Sequence, residues 1–333
     1  MRTRALLLVA AVAAAAAPAA GCSRGASTSA KGQVVVALTI DWEGAYISPD
    51  GLDAIDELRR GFGAAPVTHY VSAGYFTKEH VDPTALASIT QAVHQGDELA
   101  VHVHGWRSLA RASGIEPRLS PSFLTGTDKI MEFEDGDVGF DLDLDAYSVA
   151  ELRALLRTSR NLLAQTHLPI SKTFRAGGYL ATPKVLQAMF EEGYTVDSSA
   201  TDYRQLDERK DAVLPTRIHA IWPGVETTTQ PWLVHPPHGE LLELPIAAIA
   251  DYAETAEILR VLDAAHARLQ QDPRRDVFVV LDFHQETAHD FGRRVGDALA
   301  TLRAQPARAA ELVFTTVEDA ARRARRFVSP APT

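Results

Sequence analysis

The sequence predicts an α/β protein whose simplest architecture is a (β/α) barrel of seven or eight strands. Three observations favour this fold class. Apolar, strand-like runs alternate with runs that carry apolar residues at helical spacing. Several strand-like runs end in polar or ionisable residues, as strands that meet at one mouth of a barrel do. No repeat or internal linker divides the region, so we expect a single domain over residues 33–328.

The individual elements follow from the spacing of apolar residues. The first strand-like run, QVVVALTID at 33–41, is almost continuously apolar, as is typical of a buried strand. The other strand-like runs are 67–76, 97–106, 170–179, 194–199, 240–249 and 276–284. The helix-like runs are 51–62, 83–96, 148–166, 182–193, 254–270 and 293–304, and the segment 311–326 completes the series.

Two irregular stretches interrupt the alternation. Residues 107–147 end in the acidic run EFEDGDVGFDLDLD, whose D-x-D-x-D could be part of a calcium loop. Ala146 stands where such a loop needs glycine, so a solvated lid beside the site is the preferred interpretation. Residues 200–239 are rich in proline and tryptophan, and these tryptophans either stack on sugar rings or pack in the core.

The first 21 residues have the pattern of an export signal. MRTR is basic, the apolar stretch after it is short for a bilayer span, and PAAGC places small residues before Cys22. This pattern resembles the bacterial lipobox, so we expect a signal peptide over 1–21, a lipidated Cys22 and a flexible tether over 22–32. The expected location is the cell envelope, as a membrane-anchored lipoprotein facing the periplasm or the exterior. An ordinary signal peptide, with Cys22 incidental, is the alternative.

The charge balance limits the class of partner. The formal net charge is −10, which disfavours nucleic acid and anionic lipid surfaces as main partners. A neutral or cationic ligand is compatible with it. Cys22 is the only cysteine, so the exported protein would carry no disulfide.

Ionisable residues are concentrated at the ends of the predicted strands. In a strand, residues two positions apart point to the same face, so Asp41 and Glu43 project together, as do His102 and His104. Three further residues end other strand-like runs, and these are Arg175, Asp197 and His284. Because strand ends converge at one mouth of a barrel, we expect all seven to lie close together.

Two histidines and a carboxylate form a ligand set for a divalent metal. Zn²⁺ is the first choice for such donors, and Co²⁺, Ni²⁺ or Fe²⁺ are alternatives. Three protein ligands leave a position for water, whose pKa the metal lowers toward neutrality. We therefore expect a metal site formed by Glu43, His102 and His104, with Asp41 as a possible further ligand.

In their order along the chain, the segments TIDWEG, ELAVHVHGW, FRAGGY, VDSS and LDFH resemble the five motifs of the polysaccharide deacetylases, the NodB-homology or carbohydrate esterase family 4 group. The resemblance covers roughly residues 33–320 and implies a distorted (β/α) barrel. It departs from the commonest motifs in three places. The first motif is D-x-E, the second is H-x-H-x-W with Trp106 in the place of the second histidine, and the third has glycine in place of proline.

The resemblance assigns roles to the matched residues. It implies that Asp41 is the catalytic base, that Glu43, His102 and His104 bind the metal, and that Arg175 orients Asp41. It further implies that Asp197 tunes the general acid, which is His284. The substrate would be contacted by two aromatic residues of the matched motifs, Trp106 and Tyr179.

The expected function is metal-dependent removal of N-acetyl or O-acetyl groups from an envelope or extracellular polysaccharide. One alternative is a catalytically inactive, carbohydrate-binding lipoprotein. Another is an amidohydrolase that acts on a different C–N bond, since barrels carry many chemistries. Three residues near the motifs have weaker assignments. Asp282 either shares the face of His284 or faces solvent, Trp42 packs behind the site, and His69 is structural.

Overall fold

The computed structural model describes residues 31–206 and 213–328. The predicted signal peptide, Cys22 and most of the predicted tether therefore lie outside the described residues. Within these two ranges, none of the helices combines the length and the apolar character needed to cross a membrane.

The described residues contain ten strands and ten α-helices. The strands are β1 (Val34–Trp42), β2 (Val67–Ser72), β3 (Glu98–Val103), β4 (Ile170–Ala176), β5 (Val196–Asp197), β6 (Trp232–Val234), β7 (Leu241–Glu243), β8 (Ile246–Ile249), β9 (Val277–His284) and β10 (Leu312–Thr315). The helices are α1 (Pro49–Gly61), α2 (Ala85–Ala92), α3 (Arg107–Ala112), α4 (Val149–Leu163), α5 (Pro183–Glu191), α6 (Leu214–Ile221), α7 (Thr255–Gln271), α8 (Ala288–Arg303), α9 (Pro306–Ala309) and α10 (Val317–Ala324).

Strand β1 is the central strand of the sheet. All nine of its residues are buried, because it lies among parallel neighbours and its faces are covered by side chains from the core. It pairs with β9 along most of its length, with β10 at its start and with β2 at its end. This pairing places the carboxyl ends of β1, β2 and β9 at the same edge of the sheet, where Asp41 and Glu43 emerge.

The strand order confirms the predicted fold class, a distorted (β/α) barrel. The order is β6-β7-β5-β4-β3-β2-β1-β9-β8, and every pairing within it is parallel except β6 with β7. The segment 241–249 pairs with β5 through β7 and with β9 through β8, so one stretch of chain joins the two sides. Pro245 interrupts this segment because proline has no N–H for the ladder. The count exceeds the expected seven or eight because of this interruption and the short edge strands β6 and β10.

Helix starts follow local capping signals. The Ser148 side chain accepts a hydrogen bond from the N–H of Glu151, and the Glu151 carboxylate accepts one from the N–H of Ser148, which is a capping box for α4. Ser48 caps α1 in the same position, with Pro49 as the first helical residue. These caps fix where the chain turns from the barrel mouth back into a helix.

The 107–147 segment differs from the predicted solvated lid. Its later acidic residues are buried and engaged, since Asp137 accepts from Lys78 Nζ at 2.9 Å and Asp143 from Arg217 Nε at 2.8 Å. Asp141 accepts from a serine hydroxyl and from a main-chain N–H. Two of the three carboxylates that suggested calcium, Asp141 and Asp143, are therefore used by partners within the chain. The second half of the segment packs at the barrel mouth and is held by these contacts.

The tryptophans of the 200–239 stretch pack in the core. Trp222 and Trp232 are 6% and 3% exposed, and their rings meet edge to face with centroids 6.1 Å apart. The alternative in which they stack on sugar rings does not fit this burial.

Candidate metal and active site

The site lies where β1, β3 and β9 end. Asp41 is the second-last residue of β1, and Glu43 comes directly after this strand. His102 is the second-last residue of β3, His104 comes directly after it, and His284 is the last residue of β9. Each strand is positioned by its parallel pairing, so these residues lie at the strand ends or one position beyond them. The predicted convergence of these strand ends is present in the structure.

Glu43 is the centre of the cluster. Its Oε2 lies 3.5 Å from His102 Nε2 and in direct contact with His104 Nε2. Its Oε1 lies 3.0 Å from His284 Nε2. The two Nε2 atoms of His102 and His104 are 3.0 Å apart. The cluster contains two overlapping groups of candidate ligands, and within each group the ligand atoms lie within 4.8 Å of one another. One group is Glu43, His102 and His104, and the other is Asp41, Glu43 and His284.

The hydrogen bonds of the two histidines favour metal binding. His102 Nδ1 faces the carbonyl oxygen of Arg175 at 3.0 Å, and His104 Nδ1 faces that of Phe140. Because a carbonyl only accepts, both Nδ1 atoms carry the proton, and each neutral ring presents its Nε2 lone pair to the other ring and to Glu43. Metal-binding histidines hydrogen bond in this way. A cation bound between them would relieve the repulsion between the two Nε2 lone pairs and the Glu43 carboxylate.

Unpaired oxygen atoms in the cluster support the same conclusion. Asp41 Oδ2 and Glu43 Oε2 are buried and have no hydrogen-bond donor within the described residues. A buried carboxylate oxygen without a donor is costly unless a cation or water meets it. Two imidazole nitrogens and a carboxylate suit Zn²⁺ or a similar ion, so Glu43, His102 and His104 fit the role of a three-ligand site.

The electrostatics of the cluster are dominated by Glu43. Burial raises the pKa of Glu43, but positive charge on His104 and His102, which a bound metal would replace, outweighs burial and holds this pKa well below its usual value. Burial lowers the pKa of His284, yet Asp251 and Glu43 together raise it well above the usual value for histidine. His284 therefore retains a proton between two carboxylates.

Arg175 holds Asp41 in place. It is completely buried, and its Nη1 donates to Asp41 Oδ1 at 2.8 Å and to Asp282 Oδ1 at 2.5 Å. Its Nε donates to the carbonyl oxygen of Ser198 at 2.7 Å. Asp282, which had two alternative assignments from the sequence, is thus a buried partner of Arg175. Burial, helped by the charge of Asp41 and opposed by Arg175, raises the pKa of Asp282 to about 7.

Trp106 and Tyr179 do not lie where the prediction of substrate contacts requires. Trp106 is 0% exposed, and its Nε1 donates to the carbonyl oxygen of Glu43 at 2.9 Å. Tyr179 is 4% exposed, and its hydroxyl donates to Asp282 Oδ2 at 3.3 Å. Both side chains support the site from within the protein. This corrects the prediction, because packing by the 107–147 segment covers Trp106 and the Arg175 network engages Tyr179.

Asp197 faces Glu243 and not His284. The parallel register of β5 and β7 sets these two residues side by side, and each keeps one buried carboxyl oxygen, Asp197 Oδ2 and Glu243 Oε2, without a hydrogen-bond donor among the described residues. Ser199 Oγ donates to Asp197 Oδ1 at 2.7 Å, and the charge of Arg175 lowers the pKa of both acids. The predicted contact of Asp197 with His284 is thereby corrected. Two buried carboxyl groups in contact share one proton, since both cannot ionise cheaply.

This shared proton predicts a pH-dependent stability. Burial raises the pKa of Asp197 to about 6 and that of Glu243 well above its usual value. At this pair the folded state then binds more protons than the unfolded state. The contribution of Asp197 to stability is therefore fully present below about pH 4 and is lost as pH rises through 6, by about 2–3 kcal/mol for a two-unit shift. We expect Asp197→Asn to remove most of this decline, measured as the difference between urea unfolding curves of wild type and variant across pH 4–8. Parallel pH profiles would contradict it.

The carboxylate that contacts His284 is Asp251, which sequence reasoning missed. Asp251 Oδ2 lies 3.1 Å from His284 Nδ1, and Thr287 Oγ1 donates to Asp251 Oδ1 at 2.6 Å. A signal was present, because Asp251 follows the strand-like run IAAIA just as the other site residues follow theirs. Glu286 was also missed. Its Oε1 accepts from the N–H of Glu43 at 3.1 Å and from the Tyr75 hydroxyl at 2.8 Å.

Trp42 and His69 lie behind the site. Trp42 is 0% exposed, and its Nε1 donates to His69 Nδ1 at 3.2 Å. His69 is also fully buried, with its Nε2 3.5 Å from Asp97. Both locations agree with the supporting positions expected for these residues.

Comparison with known proteins adds information at the level of the fold. No protein-family model matches the sequence, and no curated protein matches it significantly. Among solved structures, a Mycobacterium smegmatis protein assigned as a polysaccharide deacetylase superposes with a TM-score of 0.55 at 14% identity, over 92% of this chain and 96% of the other. One from Pseudomonas aeruginosa PAO1, with the same type of assignment, gives 0.50 at 13% identity, over 89% and 92%. The chain has the polysaccharide deacetylase fold. The allantoinase PuuE, at 11% identity, shares this deacetylase fold, with a TM-score of 0.50 over 88% of this chain and 91% of its own.

Proposed function

We propose that the protein is a metal-dependent hydrolase that removes N-acetyl or O-acetyl groups from a polysaccharide. The observation that carries the proposal is the arrangement around Glu43. The Nε2 lone pairs of His102 and His104 face Glu43 Oε2, and protonated His284 contacts Glu43 Oε1. Asp41 lies in the same cluster, paired with Arg175. A metal site, a base and an acid are thus grouped at one barrel mouth.

Each residue of the cluster has a separate role in hydrolysis. A divalent metal held by Glu43, His102 and His104 would polarise the acyl carbonyl and lower the pKa of water at the site. Asp41, oriented by Arg175, accepts a proton from the attacking water. His284 donates its Nε2 proton to the leaving nitrogen, or to the leaving oxygen of an ester, as the bond to the acyl carbon breaks. Acetate and the free amine or alcohol are the products.

Asp251 takes the position that was predicted for Asp197. Its contact with His284 Nδ1 fixes the ring and stabilises the imidazolium, so that Nε2 faces the reaction site. A site that only binds sugar has no need of such an acid. This pair therefore favours an active enzyme over the inactive, carbohydrate-binding alternative.

The decisive experiment measures metal content and acetate release together. The mature protein is purified and its metals are quantified. It is then incubated with N-acetylated chito-oligosaccharides, O-acetylated xylan and, for the amidohydrolase alternative, allantoin. We expect acetate release that a chelator abolishes and that added Zn²⁺ or Co²⁺ restores. Bound metal with hydrolysis of allantoin alone would favour the amidohydrolase, and absence of both metal and turnover would favour a binding protein.

We propose that the protein is exported and anchored through a lipid on Cys22, which makes an envelope or extracellular polysaccharide the natural substrate. The small residues before Cys22 and the basic, apolar segment ahead of them support this proposal. In a bacterial host, we expect wild type in the membrane fraction, labelled by radioactive palmitate. Cys22→Ala should appear unlabelled in the soluble fraction or as an unprocessed precursor. Equal labelling of both proteins would contradict the anchor.

A further inference from the structure

We propose that the 107–147 segment is part of the metal site and that Phe140 is the positioning residue for His104. This inference rests on the proposed function, because it concerns the same metal centre. It gives the segment a specific role in place of the solvated lid expected from the sequence.

The two metal-site histidines are held in different ways. His102 lies within β3, which pairs with β4, and its Nδ1 donates to the carbonyl oxygen of Arg175 in that neighbouring strand. His104 lies beyond the end of β3 at Val103, so the sheet does not fix its backbone. The position of its ring must be set by contacts from elsewhere in the chain.

Phe140 supplies those contacts. Its carbonyl oxygen accepts a hydrogen bond from His104 Nδ1. Its ring stacks on the imidazole with centroids 4.5 Å apart and an interplanar angle of 9°. The carbonyl selects the tautomer that leaves the Nε2 lone pair free, and the stacked ring restricts rotation of the imidazole. One residue therefore sets both the tautomer and the orientation of the His104 ring.

Gly177 bounds the same imidazole. A Cβ atom at Gly177 would lie 2.7 Å from His104 Nδ1 and 2.8 Å from His104 Cε1, closer than atoms pack. The first glycine of FRAGGY, Gly177, thus leaves the space that the His104 ring occupies. Any larger side chain at this position would displace the His104 ring from its present position.

The segment is anchored close to His104. The N–H of Arg107 donates to the carbonyl oxygen of Val138 at 2.8 Å. Gly139 has a φ of +102°, and a Cβ there would lie 2.3 Å from the carbonyl oxygen of Gly105, so only glycine fits. Lys78, in the loop that follows β2, holds the adjacent Asp137. These contacts fix the backbone on which Phe140 is carried.

The test compares two phenylalanines of one aromatic cluster. The Phe133 and Phe140 rings have centroids 5.6 Å apart and both pack near Trp106, but only Phe140 stacks on His104. We expect Phe140→Ala, which removes the stacked ring and keeps the main-chain carbonyl acceptor, to weaken Zn²⁺ affinity about 10-fold, the lower end of the range for residues that orient a ligand. Phe133→Ala should leave the affinity unchanged. Affinity is measured by competition with a chromophoric chelator, and the melting temperature of each metal-free protein reports purely structural damage.

Two further variants keep the proposal testable if Phe140→Ala does not fold. Phe140→Leu retains apolar bulk without a flat ring, and Gly177→Ala displaces the imidazole from its other contact. Both should weaken Zn²⁺ binding. Wild-type affinity in the folded Phe140 variant and in Gly177→Ala would overturn this inference alone. Failure of the wild-type protein to bind any divalent metal would instead overturn the proposed metal centre, and this inference with it.

Discussion

Replacing His284 by alanine is expected to lower acetyl hydrolysis by about 10²–10⁴-fold, the usual contribution of a general acid. The physical reason is that a leaving amine departs as an unstable anion unless it gains a proton. His284 carries that proton because Asp251 and Glu43 raise its pKa well above the usual value. The metal content should stay that of wild type, since His102, His104 and Glu43 are intact. The measurements are acetate release under saturating substrate and metal analysis of the same preparation.

The control for this variant is another histidine of the same region. The side chain of His289, at the start of α8, is 46% exposed and contacts only Asp290 among the salt bridges of the described residues, so His289→Ala should retain full activity. Asp251→Asn should have an intermediate effect and shift the pH profile of kcat to lower pH, because it removes the charge that favours protonated His284. Wild-type turnover in His284→Ala would exclude His284 as the acid. Loss of metal in this variant would assign it as a ligand instead.

Replacing Arg175 by methionine is expected to destabilise the protein by about 3–5 kcal/mol, the cost of leaving buried charge without its partner. Arg175 is completely buried and pairs with both Asp41 and Asp282. Its guanidinium also lies over the Tyr70 ring, 4.3 Å from the centroid. Methionine fills part of the volume but satisfies none of these acceptors. The free energy of unfolding is measured by urea denaturation, on wild type and variant at one pH.

A double variant tests whether charge is the cause. Arg175→Met with Asp282→Asn removes the cation and one of its two carboxylates, so it should be less destabilised than Arg175→Met alone. Arg204→Met is the matched control. Its guanidinium pairs with Asp202, but its side chain is 54% exposed, and loss of an exposed pair changes stability little. A change of below about 1 kcal/mol in Arg175→Met would show that Arg175 is not the main compensation for these acids.

Local spacing in the sequence was enough to locate most of the site. Period-two spacing placed Asp41 with Glu43, and His102 with His104, and strand ends placed both pairs at one mouth. The cluster around Glu43 in the structure has this composition. Such features are predictable because they depend on residues that are neighbours in the chain and on a fold whose strand ends always converge.

The carboxylate that contacts His284 Nδ1 could be identified only from the tertiary structure. The sequence offered Asp197 and Asp251 at the ends of two different strands, and nothing local distinguishes them. The register between β5 and β7 sets Asp197 against Glu243, whereas the pairing of β8 with β9 brings Asp251 to His284. Which residue of a distant strand lies opposite depends on how the whole sheet packs, and the spacing of residues within one strand does not report it.

The sequence by itself determined the fold class, the residues at the strand ends and the donor types that suit a metal. Only the tertiary structure decided that Phe140, 36 residues from His104, accepts its Nδ1 proton, and that Trp106 is covered. The difference is physical. Which face a side chain takes in a strand follows from backbone geometry within a few residues. Which group it meets there depends on how distant segments pack, and on the space that glycines such as Gly139 and Gly177 leave between them.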